Sequence, residues 1–184
     1  MSQVSDFWRG TRLFTTISLP ETSETETKFP TVLVRNPYAQ FVTIMRDTLC
    51  GLFVRYGYAC VSQDVRGQGE SEGDWSPGIN EPKDGRDTVY WLVAQGFHDG
   101  NIGMMGPSYL ASVQWATASM GLPEEVKTTI PAVYSTDLRG VMYQDGMFRH
   151  ETFTAWASMM RSSNSDSDDA GAAYQAALTF RPHI

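Results

Sequence analysis

Short apolar, β-branched runs alternate with helix-like stretches along the first 133 residues, and this alternation constrains the fold more than any other feature. The runs are Thr31–Arg35 (TVLVR), Tyr58–Ser62 (YACVS), Ile102–Met105 (IGMM) and Lys127–Val133. Between them, Thr43–Tyr56 sets Ile44, Leu49, Leu52, Phe53 and Tyr56 on one side. Asp84–Gln95 sets Val89, Leu92 and Val93 at helical spacing, and a third helix begins at Ser108 and carries Val113, Trp115 and Met120. Strands this short and this apolar suit a sheet covered on both faces. The alternation therefore predicts an α/β fold with a mainly parallel sheet. Pro131 cannot donate to a ladder and marks Lys127–Val133 as an edge. Thr11–Leu19 alternates and reads as an antiparallel edge strand, and Thr22–Lys28 (TSETETK) as a polar connection.

The pattern changes after Tyr134. The remainder is rich in Met, Ala, Ser and aromatic residues and carries no strand pattern. Val141–Met160 and Ala170–Leu178 read as helices, with Ser162–Asp169 (SSNSDSDD) as the loop between them. The sequence thus divides into a sheet domain, residues 1–134, and a partial helical cap, residues 135–184.

The hexapeptide Gly106-Pro107-Ser108-Tyr109-Leu110-Ala111 directly follows one buried strand and opens a helix. A serine at such a turn stands clear of the sheet edge, beside the positive end of the helix dipole. That setting suits a nucleophile and the oxyanion it creates. It also suits a simple helix cap, and the Gly-x-Ser-x-Gly pattern is unmet because Leu110 holds its last place. Asn36-Pro37-Tyr38 follows the first buried strand, at the carboxyl edge where α/β sheets hold ligands, and the Tyr38 phenol is a hydrogen-bond donor. The alternative there is ordinary packing.

Asp64–Gly73 (DVRGQGESEG) follows another buried strand. Its glycines are spaced G-x-G-x-x-x-G, and Trp75-Ser76-Pro77-Gly78 intervenes before any helix. It reads as a tight structural loop with an Asp64–Arg66 pair rather than a dinucleotide site. Asn164–Asp169 lacks the glycine and glutamate of a calcium loop. His98 precedes the serine-bearing strand and belongs at the opposite, amino edge. His150 and His183 lie in the helical part, so no histidine is assigned as a base.

Composition excludes several other functions. Twenty-one acidic residues outnumber fourteen basic ones, giving a net charge of −7 with no basic stripe, so nucleic acid is not an expected partner. No apolar run approaches the ~20 residues of a membrane span, and the first residues lack the layout of a secretory signal. The expectation is a soluble, cytoplasmic chain. Cys50 and Cys60 form no metal-ligand pattern; they read as two reduced, buried thiols, with a disulfide as the alternative.

Together, Val34-Arg35-Asn36-Pro37-Tyr38, Gly57-Tyr58-Ala59, Gln63-Asp64-Val65-Arg66-Gly67, Ser71-Glu72-Gly73, Asp99–Gly106, Ser108-Tyr109-Leu110 and Gln114-Trp115 resemble one family in order and spacing. That family is the cocaine esterase and X-prolyl dipeptidyl-peptidase-like hydrolases of the α/β-hydrolase fold. The resemblance spans about Trp8 to Val133. It implies a truncated α/β-hydrolase sheet with a helical lid segment. It also implies Ser108 as nucleophile, with the Tyr38 phenol and the Tyr109 backbone N–H as oxyanion donors. Ala111 stands where the family's elbow has its final glycine. The expected substrate is a small ester or a short peptide or amide. No cofactor or metal is expected, and the catalytic Asp and His are expected outside this chain. A complementing carboxyl-terminal chain or a second copy are the partners this reading allows, and a non-catalytic remnant is its rival. The isolated chain is expected to resist phosphonate labelling at Ser108.

Overall fold

The structure is a computed structural model describing residues 2–7, 10–23, 27–38 and 44–162. It divides into two compact units, Met1–Tyr134 and Ser135–Ile184.

The first unit is an α/β sheet of six strands in the order β1-β2-β4-β3-β5-β6. The strands are β1 (Ser2–Phe7), β2 (Thr11–Ser18), β3 (Phe29–Asn36), β4 (Ala59–Asp64), β5 (His98–Pro107) and β6 (Val126–Ala132). β3 runs parallel to β4 and to β5, and β5 runs parallel to β6. β2 is antiparallel to β4, and β1 is antiparallel to β2. The expected strands are all present. β5 is longer than predicted: it begins at His98, and Asp99-Gly100-Asn101 forms an irregularity inside it, where Gly100 has φ 93° and the pairing with β3 shifts register. β2 is not an edge: β1 pairs with its outer side, a partner that the polar run Ser2–Phe7 does not announce by alternation. Among the described strands, β6 and β1 are the edges, in keeping with Pro131 in β6.

Every residue of β4 is buried, as expected for an interior strand with covered faces. Ile17, Leu33, Val61, Ile102 and Met104 of the sheet pack with Val89 and Leu92 of α2 (Glu81–Val93) to form one core cluster. Each such side chain contributes roughly 1.5–3 kcal/mol on burial. The first predicted helix is a π-helical turn, Ile44–Cys50, that continues as α1 (Gly51–Arg55). α3 (Tyr109–Ala118) starts one residue after Ser108, and its Trp115 is exposed rather than in the core.

The cysteines depart from expectation. Cys50 and Cys60 are joined in a disulfide and are almost fully buried. The π-helical turn brings Cys50 down onto the second residue of β4, with the two Cα atoms 5.2 Å apart. A spacing of ten residues in the sequence does not reveal that return.

The second unit was expected to have no strands and a single helix over Val141–Met160. It contains α4 (Leu138–Met142), a hairpin of β7 (Tyr143–Gln144) and β8 (Met147–Phe148), and α5 (His150–Ser162). Asp145 and Gly146 both have positive φ, 52° and 82°. Asp-Gly is the dipeptide that such a two-residue hairpin turn favours. The turn interrupts what helical spacing alone presents as continuous. The predicted helix Ala170–Leu178, the acidic run 164–169 and His183 lie outside the described residues.

Candidate active site

Strand order determines where the site sits. From β3 the chain moves to β4 on one side, whereas from β5 it moves to β6 on the other. The carboxyl ends of β3 and β5 therefore flank the point where the connections diverge, the crevice in which open α/β sheets bind ligands. Tyr38 follows β3 and Ser108 follows β5, so both candidates from the sequence fall at this point.

Ser108 has φ 58° and ψ −128°, a left-handed conformation for a residue with a Cβ. A backbone held this way costs on the order of 1–3 kcal/mol and persists only where its surroundings enforce it. Those surroundings are visible. The Ser108 N–H donates to the Ala132 carbonyl of β6 at 2.9 Å, and the Ser108 carbonyl accepts from Ala111 N–H at 2.9 Å. Gln114, buried one turn further along α3, donates through Nε2 to the carbonyls of Gly106 (3.2 Å) and Leu110 (3.1 Å). Its Oε1 accepts from Ile130 N–H (3.1 Å). Gly106 is obligatory: at φ 148° a Cβ there would lie 2.4 Å from Leu110 Cβ. Ala111, in the place of the family's glycine, is fully buried in this arrangement. The serine makes no side-chain capping bond to α3, so the helix-cap alternative for its hydroxyl does not hold.

Instead, Ser108 Oγ lies 3.0 Å from the Tyr38 phenol oxygen. Tyr38 is buried and Ser108 is exposed. Asn36 fixes Tyr38. Its Oδ1 accepts the Tyr38 N–H at 3.1 Å, and its Nδ2 donates to the Tyr38 carbonyl at 2.9 Å. The Asn36 carbonyl in turn accepts Val65 N–H at 3.0 Å. An Asn that clamps the backbone two residues on is recognisable turn chemistry, and Asn-Pro in the sequence carries that signal. Tyr109 is the first residue of α3, where helix backbone dipoles present their positive end.

The Tyr109 side chain points elsewhere. Its phenol donates to Glu81 Oε1 and accepts the Gly78 N–H at 3.0 Å, while its ring leans on Trp75 with centroids 5.9 Å apart. Burial, reinforced by the Glu81 carboxylate, pushes that phenol's pKa upward. Glu81 itself is 3% exposed. Local sequence does not announce this burial, since a Glu in a first helical turn is ordinarily a surface complement to the helix dipole.

The glycine-bearing loop is structural, as expected, but its predicted ion pair is corrected. Arg66 donates through Nε and Nη2 to Asp84 of α2 at 2.8 and 2.6 Å, not to Asp64. Asp64 instead accepts Glu70 N–H at 3.1 Å, and burial raises its pKa to about 6. A Cβ at Gly69 would lie 2.2 Å from Asp64 Oδ2, so that glycine makes room for the carboxylate. The fork geometry of Arg66 matches a helix carboxylate, a pairing that local spacing cannot foresee.

His98 is the first residue of β5, ten residues before Ser108, with its Nδ1 accepting Gly100 N–H at 2.9 Å. With the register shift early in β5, the strand sets it about 25 Å from the elbow. Among the described residues, the hydrogen-bond partner of the Ser108 side chain is Tyr38. No helix among the described residues is long and apolar enough to cross a membrane.

The family model of the X-Pro dipeptidyl-peptidases (S15 family) matches residues 9–183. Cocaine esterase from Rhodococcus sp. (strain MB1 Bresler) is 38% identical over 136 residues, covering 71% of this chain and 24% of the esterase. An α-amino acid ester hydrolase superposes with a TM-score of 0.68 at 27% identity, covering 88% of this chain and 30% of that one. A CocE/NonD family hydrolase from Staphylococcus aureus shares the fold with a TM-score of 0.75 at 24% identity, covering 95% of this chain and 35% of that one. The chain thus spans about a quarter to a third of the length of these proteins.

Proposed function

The chain belongs to the X-Pro dipeptidyl-peptidase (S15) family, and on that footing we propose that it is the nucleophile-bearing part of a serine hydrolase acting through an acyl-enzyme on Ser108. The observation that carries this is the 3.0 Å approach of the Tyr38 phenol to Ser108 Oγ, with Ser108 held at φ 58° where β5 ends.

In this reading Ser108 Oγ attacks the carbonyl carbon of an ester or amide. The carbonyl oxygen gains the negative charge. The Tyr38 O–H and the Tyr109 backbone N–H donate to it, from loops that two adjacent strands hold in place. Such donors act because they are oriented before the charge develops, and each is worth on the order of 10²–10³ in rate. The alcohol or amine leaves, and water then releases the acyl group from Ser108 Oγ. The base that takes the serine proton, and the carboxylate that orients it, come from sequence outside these 184 residues. The names of the relatives support a small ester or a short peptide or amide as substrate. The chemistry calls for no metal or organic cofactor. A complementing carboxyl-terminal segment is the partner this reading favours.

An activated ester tests it. The oxyanion hole and substrate binding without a base sustain about 10³–10⁴ over water, expected to be too little for phosphonate labelling of Ser108 yet enough for slow acylation by p-nitrophenyl acetate. The acetyl adduct is expected on Ser108 by mass spectrometry, absent in Ser108→Ala. Acylation of wild type no faster than that of Ser108→Ala would overturn the proposal.

A further inference from the structure

The two oxyanion-donor positions lie on different loops, and one buried polar circuit underneath connects them. On the β5 side, Tyr109 follows the nucleophile directly, and its phenol is bound to Glu81. On the β3 side, Arg35 precedes Asn36, the residue that clamps Tyr38. Arg35 Nη1 donates to the Glu81 backbone carbonyl at 3.3 Å, and its Nε donates to Gln63 Oε1 at 2.9 Å. Arg35 and Glu81 are each 3% exposed.

Buried charged groups are costly, and each must gain from geometry what it loses in hydration. Burial draws the pKa of the Arg35 guanidinium down, while Asp84 and Glu81 act against that. The pocket leaves little slack. At Gly85, one turn along α2 from Glu81, a Cβ would lie 3.0 Å from Arg35 Nη1 and 1.9 Å from Thr117 Oγ1 of α3. Glu81 therefore lies where β3, the first turn of α2 and the first turn of α3 converge.

We propose that Glu81 is a positioning residue for the elbow. It seats the Tyr109 side chain, and so fixes the rotation of the backbone that presents Ser108 Oγ and the Tyr109 N–H. Through Arg35 it ties that setting to the strand end that carries Tyr38. This inference rests on the reading of Ser108 as nucleophile. The Glu81 carboxylate does not touch the substrate. Its contribution is to keep the two donors at one separation, and misplacement by about 1 Å costs about a hundredfold in rate.

The test compares Glu81→Ala, Glu81→Gln and Tyr109→Phe with wild type, using the 184-residue chain. Gln keeps an oxygen that accepts the Tyr109 phenol; Ala does not. Two quantities are measured: the p-nitrophenyl acetate dependence of Ser108 acylation, and amide hydrogen exchange at residues 108–111 relative to Val89 and Leu92. Glu81→Ala and Tyr109→Phe are expected to lower the limiting acylation rate about tenfold or more, with half-saturation within about twofold of wild type. Exchange at 108–111 is expected to rise by a similar factor while Val89 and Leu92 stay protected. Glu81→Gln is expected to remain within about threefold of wild type in both. Unchanged exchange at 108–111 in Glu81→Ala and Tyr109→Phe overturns the proposal, as does a Gln variant as impaired as Ala. Wild type that is not acylated at Ser108 removes the nucleophile reading instead, and the exchange measurement still decides the role of Glu81.

Discussion

Replacing Gly85 with Ala sets two physical rules against each other. Gly85 lies inside α2, and helix propensity alone predicts that Ala stabilises by about 1 kcal/mol. Packing predicts the reverse. The added methyl would sit 1.9 Å from Thr117 Oγ1 and 2.9 Å from Thr117 Cβ. Thr117 is fully buried, and its hydroxyl donates to Val113 O at 2.6 Å, so it cannot rotate away without losing that bond. Overpacking of a close-packed site costs about 1–3 kcal/mol, and an overlap this deep belongs at the upper end. Subtracting the propensity gain leaves about 2 kcal/mol of net destabilisation. Thr117→Ala removes the deepest overlap, so the double variant should recover more than half of that loss, a coupling of about 1 kcal/mol or more. Urea unfolding of wild type, both single variants and the double variant, followed by circular dichroism, measures this. A stabilised Gly85→Ala, or a double variant equal to the sum of the singles, would refute the account of how α2 holds α3 and the elbow.

Three further outcomes are expected. Asp64, whose pKa burial raises to about 6 from 3.8, favours the folded state most when protonated, so this contribution is present below pH ~4 and lost as pH rises through about 6. Relative to Asp64→Asn, wild type should therefore lose up to ~3 kcal/mol between pH 4 and 7 in urea titrations, and a flat difference would contradict this. The Cys50–Cys60 disulfide should protect both thiols from iodoacetamide in the unfolded, unreduced chain, and its reduction should lower stability by about 2–3 kcal/mol, read as a shift in urea midpoint. Tyr38→Phe, which removes the phenol 3.0 Å from Ser108 Oγ, should slow acylation by p-nitrophenyl acetate about 10²–10³-fold; a rate equal to wild type would remove Tyr38 from the oxyanion site.

Local pattern carried much of this fold. Val32, Leu33 and Val34 lie in β3, Val89 and Leu92 face the core from α2, and the turn before α3 isolates Ser108, each readable from spacing. Long-range pairing was not readable. Arg66 is two residues from Asp64 in sequence, yet its partner Asp84 is eighteen residues away on α2. Glu81 lies outside the helical pattern that begins at Asp84, and nothing near it in sequence shows that Tyr109 closes over it. Cys60 sits where an interior strand needs a small apolar residue, and only the path of the π-helical turn brings Cys50 to it. In the second unit, Asp145-Gly146 was a legible hairpin signal that helical spacing overrode.

The candidate site is the place where these two kinds of information meet. Tyr38 and Ser108 each lie in a turn that local sequence marks, one by Asn-Pro and the other by Gly-Pro-Ser. Neither turn specifies the other, and the distance between them depends on β3 and β5 being neighbours. That adjacency arises because the chain passes from β4 through α2 back across β3 before entering β5. α2 is thus the element that converts two local turns into one site. It carries Glu81 against Tyr109, Asp84 against Arg66, and Gly85 against Thr117 and Arg35. A strained serine needs such support from several sides, because any single hydrogen bond, worth about 1 kcal/mol net, is smaller than or comparable to the strain it must hold.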